Sequence, residues 1–367
     1  MHIGELDFPY PENLIATERA ETSRVMVVDA SGKLTENLRR PYELESMANL
    51  VELFRPGDLL VINDTKVLKR RVFSASGLEI LFLAPLEAND PNDFGKIWSV
   101  LCPSSRWKNG TLQVLPQSAA QRPEQTANQK NITLEILERG RPQTVRASQA
   151  LTEAYFEEVG ELPLPPYIQQ ARGERHNREF DQAQYQTAWA EKNGSLAAPT
   201  ASLHFTEQSL NRLREKGVEI ARVTLHVGLG TFLPVTAERL DDHIMHAEIA
   251  EISRETNLAV ERALGRGARI WALGTTVTRT LESAAMGKFG EKKSDGAYRG
   301  ETDLFIRPGY EYRIVSGLLT NFHQPRSTLL ALVGAFAGLD TLKSAYAWAI
   351  EKEFRLFSYG DLSVWIK

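Results

Sequence analysis

Five segments of this 367-residue chain share one construction, pairing an apolar, strand-like run with glycine, proline, threonine, histidine, asparagine or arginine. They are AAPTASLHFT (197–206), VTLHVGLGTF (223–232), DDHIMHAE (241–248), LGTTVTRTLES (273–283) and TNFHQPRSTLL (320–330). Of the seven histidines, only His2 and His176 fall outside them. A chain presents polar groups in this way at the ends of strands and the starts of helices. The pattern therefore predicts one composite site assembled from several strand–helix junctions.

The elements around these segments support an α/β class. RVMVVD (24–29) reads as a strand before a turn at Ser31-Gly32. MANLVELFRPGDLLVIND (47–64) reads as a short helix, a Pro-Gly turn and a buried strand ending at Asn63-Asp64. Over 65–148 the character changes to short strand-like runs separated by turns, with a Gln-rich polar stretch at 117–130. That interval predicts a small all-β module, closed as a barrel so that no edge is left open. Helical periodicity returns at 148–160, and ELPLPPYIQQ reads as a rigid extended connector. FTEQSLNRLREKG has Thr206 as N-cap and Gly217 as stop, and SRETNLAVERALGRG and LDTLKSAYAWAIEKEF are further helices. The expected organisation is a discontinuous main α/β domain (1–64 and 149–367) interrupted by a β-barrel domain (65–148).

One cysteine, Cys102, excludes an internal disulfide framework. MHIGELDFPYPENLI lacks a basic flank and a long apolar stretch, and no other segment reads as a membrane span, so the expectation is a cytoplasmic protein. The net charge of −4 argues against a uniformly basic coat. Residues 262–326 nevertheless hold eleven Lys or Arg against six Asp or Glu, and Lys66, Lys69, Arg70 and Arg71 form a second cluster. Each reads either as a modest surface patch or as a site for an RNA backbone.

His226 ends an apolar strand before Gly228 and Gly230, whose lack of side chains lets a ligand approach the backbone. The alternative is a tight turn with a buried, hydrogen-bonded histidine. His243, His246 and Glu248 have a metal-like look. HAEIAEIS alternates as a strand does, however, which would turn His246 and Glu248 the same way as an imidazole–carboxylate pair. No HExxH or cysteine cluster supports zinc, so no metal is expected. Arg279 stands in a helix start surrounded by Thr275, Thr276 and Thr278, a setting suited to a carboxylate or phosphate. Its alternative is an ion pair with Glu282. Asn321, His323 and Arg326 repeat the arrangement. Pro199, Thr200 and His204 offer small residues that leave room for a flat ring, or that simply pack closely.

Taken in order, DFPYPENLIA, FRPGDLLVINDTKV, ELPLPPYI, QYQTAWA, GSLAAPTASLHFT, VTLHVGLGTFLPV, HIMHAE, GTTVTRTLES, TDLFIRPGY, LLTNFHQPRSTLL and FSYGD closely resemble the S-adenosylmethionine:tRNA ribosyltransferase-isomerase family of queuosine biosynthesis. The resemblance runs end to end. It implies a large, barrel-like α/β domain interrupted by a small β-barrel domain. It also implies transfer of the ribosyl part of S-adenosylmethionine to a 7-aminomethyl-7-deazaguanine base at the wobble position of tRNA. The sugar is rearranged to an epoxycyclopentanediol, giving epoxyqueuosine-tRNA, adenine and methionine. The implied partners are S-adenosylmethionine as co-substrate and the precursor-modified tRNA, with no membrane and a monomeric enzyme.

Within that frame His226 and His246 are the expected acid–base groups, because imidazole titrates near neutral pH. Arg279 is expected to hold the methionine carboxylate. His323 and Asn321 would contact a base or ribose, and Pro199, Thr200, His204, Gly228, Gly230, Thr275 and Thr276 would line the crevice. Lys292, Lys293 and Arg299 are expected to follow the tRNA phosphates. The family pattern has arginine where Leu233 and Ile244 stand here, glycine at Ser202 and tyrosine at Arg307. The retained glycines, histidines, Arg279 and NFHQPRST argue that the two lost arginines are peripheral. The competing readings are a same-fold transferase acting on a free nucleoside or another RNA, and a non-catalytic RNA-binding relative.

Overall fold

The segment LLVIN (59–63) is buried at every position, as a strand covered on both faces must be. In the computed structural model it lies at the centre of a nine-stranded mixed sheet. The structure describes residues 1–29, 41–87, 90–103, 106–107, 111–116, 131–228, 230, 237–290 and 293–367. Ser31-Gly32, the stretch 117–130, Leu233 and Lys292 lie outside these residues.

The sheet runs in the order Tyr298–Thr302, Glu248–Ile252, Glu219–Leu225, Leu59–Asn63, Ile270–Leu273, Gly317–Asn321, Leu362–Ile366, Val25–Asp29, Tyr42–Glu43. The four strands from Glu219–Leu225 to Gly317–Asn321 are mutually parallel. Antiparallel strands flank them on both sides. Successive residues turn to opposite faces, as the pleat requires. Met26, Val28, Leu59, Val61, Ile270 and Ala272 join one apolar layer. Val25, Val27, Leu60, Ile62, Trp271 and Leu273 join the other.

The helices follow their sequence signals. Glu207–Glu215 is capped by Thr206, whose hydroxyl accepts from the Ser209 N–H, and Gly217 sits at φ 87° beyond its end. Arg254–Gly265 starts at Ser253, and Thr275–Ala285 leaves the strand Ile270–Leu273 through Gly274 at φ 96°. MANLVEL is a 3-10 helix, Met47–Leu53. The proline-rich connector is corrected in part: Pro166–Arg172 is an α-helix, because Pro166 occupies its first turn, where the missing N–H costs nothing.

Contacts divide the chain into two compact units. The larger comprises Met1–Lys66, Pro165–Arg175 and Gln182–Lys367, and the smaller Val67–Leu164 and His176–Asp181. The smaller carries six antiparallel strands in the order Arg71–Phe73, Glu79–Pro85, Ile97–Leu101, Gln143–Ala147, Thr133–Glu138, Gln113–Val114. Its end strands meet where the Ala75 N–H donates to the Val114 carbonyl at 2.7 Å, and the Ser74 and Ser76 hydroxyls donate to Gln113 Oε1. These bonds draw the ends of a curled, half-barrel sheet together. The unit extends past 148 because the helix Glu153–Val159 contributes Tyr155 and Phe156 to its core. The fold class is the expected one, an α/β main unit with a small all-β barrel.

The Lys69–Arg71 cluster is no surface patch. Lys69 pairs with Glu157. Arg70 is buried against the Phe156 and Trp98 rings and paired with Glu153. Arg71, also buried, bonds Glu161 at 3.0 Å. Guanidinium planes stacked on aromatic rings here are parts of a core.

Candidate active site at the ends of four parallel strands

The four parallel strands end side by side, and each delivers polar residues at its carboxyl end. Leu59–Asn63 delivers Asn63, Asp64 and Thr65, and Glu219–Leu225 delivers His226. Ile270–Leu273 delivers Gly274, Thr275 and Thr276, and Gly317–Asn321 delivers Asn321 itself. In open α/β sheets this end of the strands is where ligands bind.

Asn63 joins three of these ends. Fully buried, its amide donates to the Leu225 carbonyl (3.0 Å) and the Thr276 hydroxyl (3.1 Å). Its oxygen accepts the N–H groups of Thr65 (3.1 Å) and Leu225 (3.2 Å). Both donors and both acceptor sites are thereby used. Thr65, fixed by Asn63, places its hydroxyl 2.7 Å from His226 Nδ1. The other side of the imidazole rests on Gly194, where an added Cβ would stand 2.8 Å from three ring atoms. Burial holds the His226 pKa below its usual 6.5; Lys192 works in the same direction, against Asp64 and Glu251. His226 is therefore neutral at physiological pH, oriented by Thr65 and half-buried.

His204 and Asn321 form a second node. His204 Nδ1 meets the Ser23 hydroxyl at 2.6 Å and its Nε2 meets Asn321 Nδ2 at 3.0 Å. Asn321 also donates to the Phe357 carbonyl and accepts from the Thr200 hydroxyl at 3.0 Å. Burial, aided by Arg19 and Arg355, pushes the His204 pKa down to about 3. His323, bonded through Nε2 to the Thr320 hydroxyl (2.8 Å), is pushed by burial to about 3 as well. The short 3-10 helix Thr200–His204, entered through Pro199, abuts the helix Thr275–Ala285. A Cβ on Gly274 would meet Ala201 Cβ at 3.7 Å.

Glu248 and Arg279 form a third node, different from both expectations. Glu248 begins the strand Glu248–Ile252, as the alternation of HAEIAEIS implied, but it does not pair with His246. One carboxylate oxygen accepts the Gly228 N–H at 3.0 Å, and the other pairs with Arg279. Arg279 is buried and also donates to the carbonyls of Leu304 (3.1 Å) and Thr302 (3.4 Å). Its guanidinium thus has three partners within the fold. It does not pair with Glu282, whose oxygens accept the backbone N–H groups of Arg313, Ile314 and Val315 and the Tyr310 hydroxyl. His246 is exposed, and a Cβ on Gly230 would stand 3.5 Å from its ring. Among the described residues no group of three or more His, Cys, Asp or Glu could hold a metal ion.

Asn63, Thr65, Gly194 and Ser23 belong to this cluster although the sequence did not mark them as site residues. Asn63-Asp64 was legible as a strand terminus. Its role as a four-bonded joint follows only once the neighbouring strands are known.

The chain matches the model of a family described as queuosine biosynthesis protein over residues 3–365. It belongs to that family. Among similar proteins, the S-adenosylmethionine:tRNA ribosyltransferase-isomerase of Methylocella silvestris is 42% identical, covering 98% of this chain and 96% of that protein. The protein of the same name from Halothermothrix orenii is 39% identical, with 98% of each covered. A crystal structure of S-adenosylmethionine tRNA ribosyltransferase from Thermotoga maritima superposes with a TM-score of 0.52. It is 30% identical and covers 99% of this chain and all of that one.

Against this family's pattern, Ile244 is 85% exposed, so the arginine missing there would have stood in solvent. Arg307 pairs with Asp241, and Ser202 is fully buried. Arg299 is committed to Asp295 at 2.7 Å and Glu251 at 3.3 Å. No single helix among the described residues is long and apolar enough to cross a membrane.

Proposed function

We propose that this chain transfers and isomerises the ribosyl moiety of S-adenosylmethionine onto 7-aminomethyl-7-deazaguanine at the wobble position of tRNA, giving epoxyqueuosine-tRNA, adenine and methionine. It is an enzyme of the ribosyltransferase-isomerase class, with S-adenosylmethionine as co-substrate. The observation that carries the reading is family membership from residue 3 to residue 365. We further propose that the larger unit is catalytic, that the smaller is an inserted barrel domain, and that the enzyme works as a cytoplasmic monomer on precursor-modified tRNA.

The proposed site is the row of strand ends. A sulfonium acidifies the hydrogens on its adjacent C5′ carbon, so the reaction needs a base there and a hydrogen-bond donor for the departing adenine. His226 is proposed as the base, since a neutral imidazole near an oriented hydroxyl can accept a proton at neutral pH. His246, exposed beside Gly230, is proposed as the second acid–base group. His204, His323, Asn321 and Thr200 stay neutral and are proposed to contact base or ribose. Pro199, Gly228, Gly230, Thr275 and Thr276 are proposed to contact S-adenosylmethionine at the strand ends. For Arg279 the proposal is a positioning role: it holds Glu248, which in turn holds the Gly228 N–H.

The test is one incubation of the protein with S-adenosylmethionine and precursor-modified tRNA, followed by nucleoside analysis. Epoxyqueuosine with matching adenine is the expected result. Adenine released without base modification would favour a free nucleoside or another RNA as acceptor, and no turnover would favour a binding protein.

A further inference from the structure

With Arg279 committed to Glu248, the amino-acid end of S-adenosylmethionine needs another partner. A crevice of about 770 Å³, open mouth included, lies in the larger unit beside His204. Its walls come from Arg19–Ser23, the 3-10 helix Met47–Leu53 and the helix Glu207–Glu215. Two arginines line it, Arg19 and Arg212, and neither side chain has a hydrogen-bond or ion-pair partner among the described residues. Arg19 is half-buried, and its backbone is pinned by its N–H to Gln184 Oε1. A cation partly withdrawn from water without a counter-ion is costly unless an anion arrives. One carboxylate, Glu21, stands in the same lining, and Leu50, Leu203 and Leu213 supply apolar wall.

We infer that this crevice binds the zwitterionic methionyl end of S-adenosylmethionine, with Arg19 and Arg212 on the carboxylate, Glu21 on the ammonium and the leucines along the aliphatic stem. The inference rests on the proposed activity for its ligand. A planar guanidinium grips a carboxylate through two parallel hydrogen bonds. The combination of two cations, one anion and an apolar wall fits an α-amino acid with an apolar side chain. It fits an RNA phosphate poorly, because Glu21 repels a polyanion. The crevice adjoins the proposed site through His204, which lines it and bonds Asn321.

The experiment measures binding, so it does not depend on turnover. L-Methionine and S-adenosylmethionine are titrated calorimetrically into the full chain and into Arg19→Gln, Arg212→Gln and the double variant. Arg212 lies on an exposed helix face, so its variant retains the fold whatever Arg19→Gln does. Each single variant is expected to raise both Kd values several-fold and the double variant at least tenfold, with tRNA affinity and its salt dependence unchanged. Glu21→Gln is expected to weaken L-methionine but not 3-(methylthio)propionate, which lacks the ammonium. Kd values within twofold of wild type for both ligands in the double variant would overturn the inference. So would a loss confined to tRNA with a shallower salt dependence, which marks a phosphate site. If wild type binds both ligands as expected but makes no epoxyqueuosine, the proposed activity fails while the crevice assignment stands.

Discussion

Replacing Arg279 with alanine separates a structural role from a ligand-binding one. In the structure Arg279 and Glu248 are 7% and 6% exposed at their side chains and paired with each other. Removing one partner of a buried pair leaves the other as an uncompensated charge, which costs about 3–5 kcal/mol. The carbonyls of Thr302 and Leu304 lose a donor as well. Against a total stability of roughly 5–15 kcal/mol, that is a large fraction. A helix-surface ion pair would instead be worth only about 0.2–0.5 kcal/mol. Urea unfolding of wild type, Arg279→Ala, Glu248→Gln and the double variant Arg279→Ala/Glu248→Gln measures the difference. The double variant removes both charges together, so it is expected to be more stable than the two single losses predict, by about 1–3 kcal/mol of coupling. Kinetics taken below the unfolding transition should show kcat/KM reduced in both single variants, because Gly228 loses its anchor at Glu248. A stability loss below about 1 kcal/mol for Arg279→Ala, with a raised KM for S-adenosylmethionine and unchanged kcat, would refute this account and restore the carboxylate-binding role.

Gly194→Ala should push the His226 ring out of place, since the new Cβ would stand 2.8 Å from it at φ 152°. A marked loss of kcat, with the displaced imidazole visible in the histidine NMR spectrum, is the expected outcome. Thr65→Val removes one hydrogen bond to His226. Its net worth of about 0.5–1.5 kcal/mol corresponds to a fall in kcat of roughly two- to tenfold, accompanied by a moved acid limb in the pH–rate profile. His204 and His323 have folded-state pKa values near 3, below the unfolded value near 6.5. Their stabilisation is complete above pH 6.5 and is lost as pH falls from there toward 3, because the unfolded chain takes up protons that the folded one excludes. Each histidine adds at most about 1.4 kcal/mol per pH unit to the slope, and denaturant midpoints at pH 7 and 5 should show it. His323→Asn should flatten the dependence.

Strand ends and helix starts were legible because local chemistry dictates them. Thr206 and Ser253 cap the helices that follow, and Gly274 at φ 96° is the residue a sharp strand-to-helix turn requires. The composite site was legible for the same reason, since its polar residues sit where apolar runs stop. Partnerships were not. Glu248 and Arg279 are separated by 31 positions and meet only because a helix packs across the sheet. Arg70 and Arg71 read as a basic patch, since nothing local reveals that Phe156 and Glu161 await them. The helix Pro166–Arg172 was obscured by prolines, which forbid a helix interior but suit its first turn.

The strand Val25–Asp29 lies parallel to Leu362–Ile366, with Val25 opposite Leu362. On its other side Leu362–Ile366 borders Gly317–Asn321, with Asn321 opposite Leu362. Of the nine strands in this sheet, the first from the ribosome therefore waits for the last. While the nascent chain grows, Val25–Asp29 has, among the described residues, the two-residue strand Tyr42–Glu43 as its one sheet neighbour, and Asn321 stands on an open edge. Pairings this distant in sequence are slow to form and leave edges exposed meanwhile. Vectorial synthesis thus delays the assembly of the His204–Asn321 node until the final strand docks, and a chain stalled before Leu362 would carry the candidate-site segments without the strand that borders Asn321.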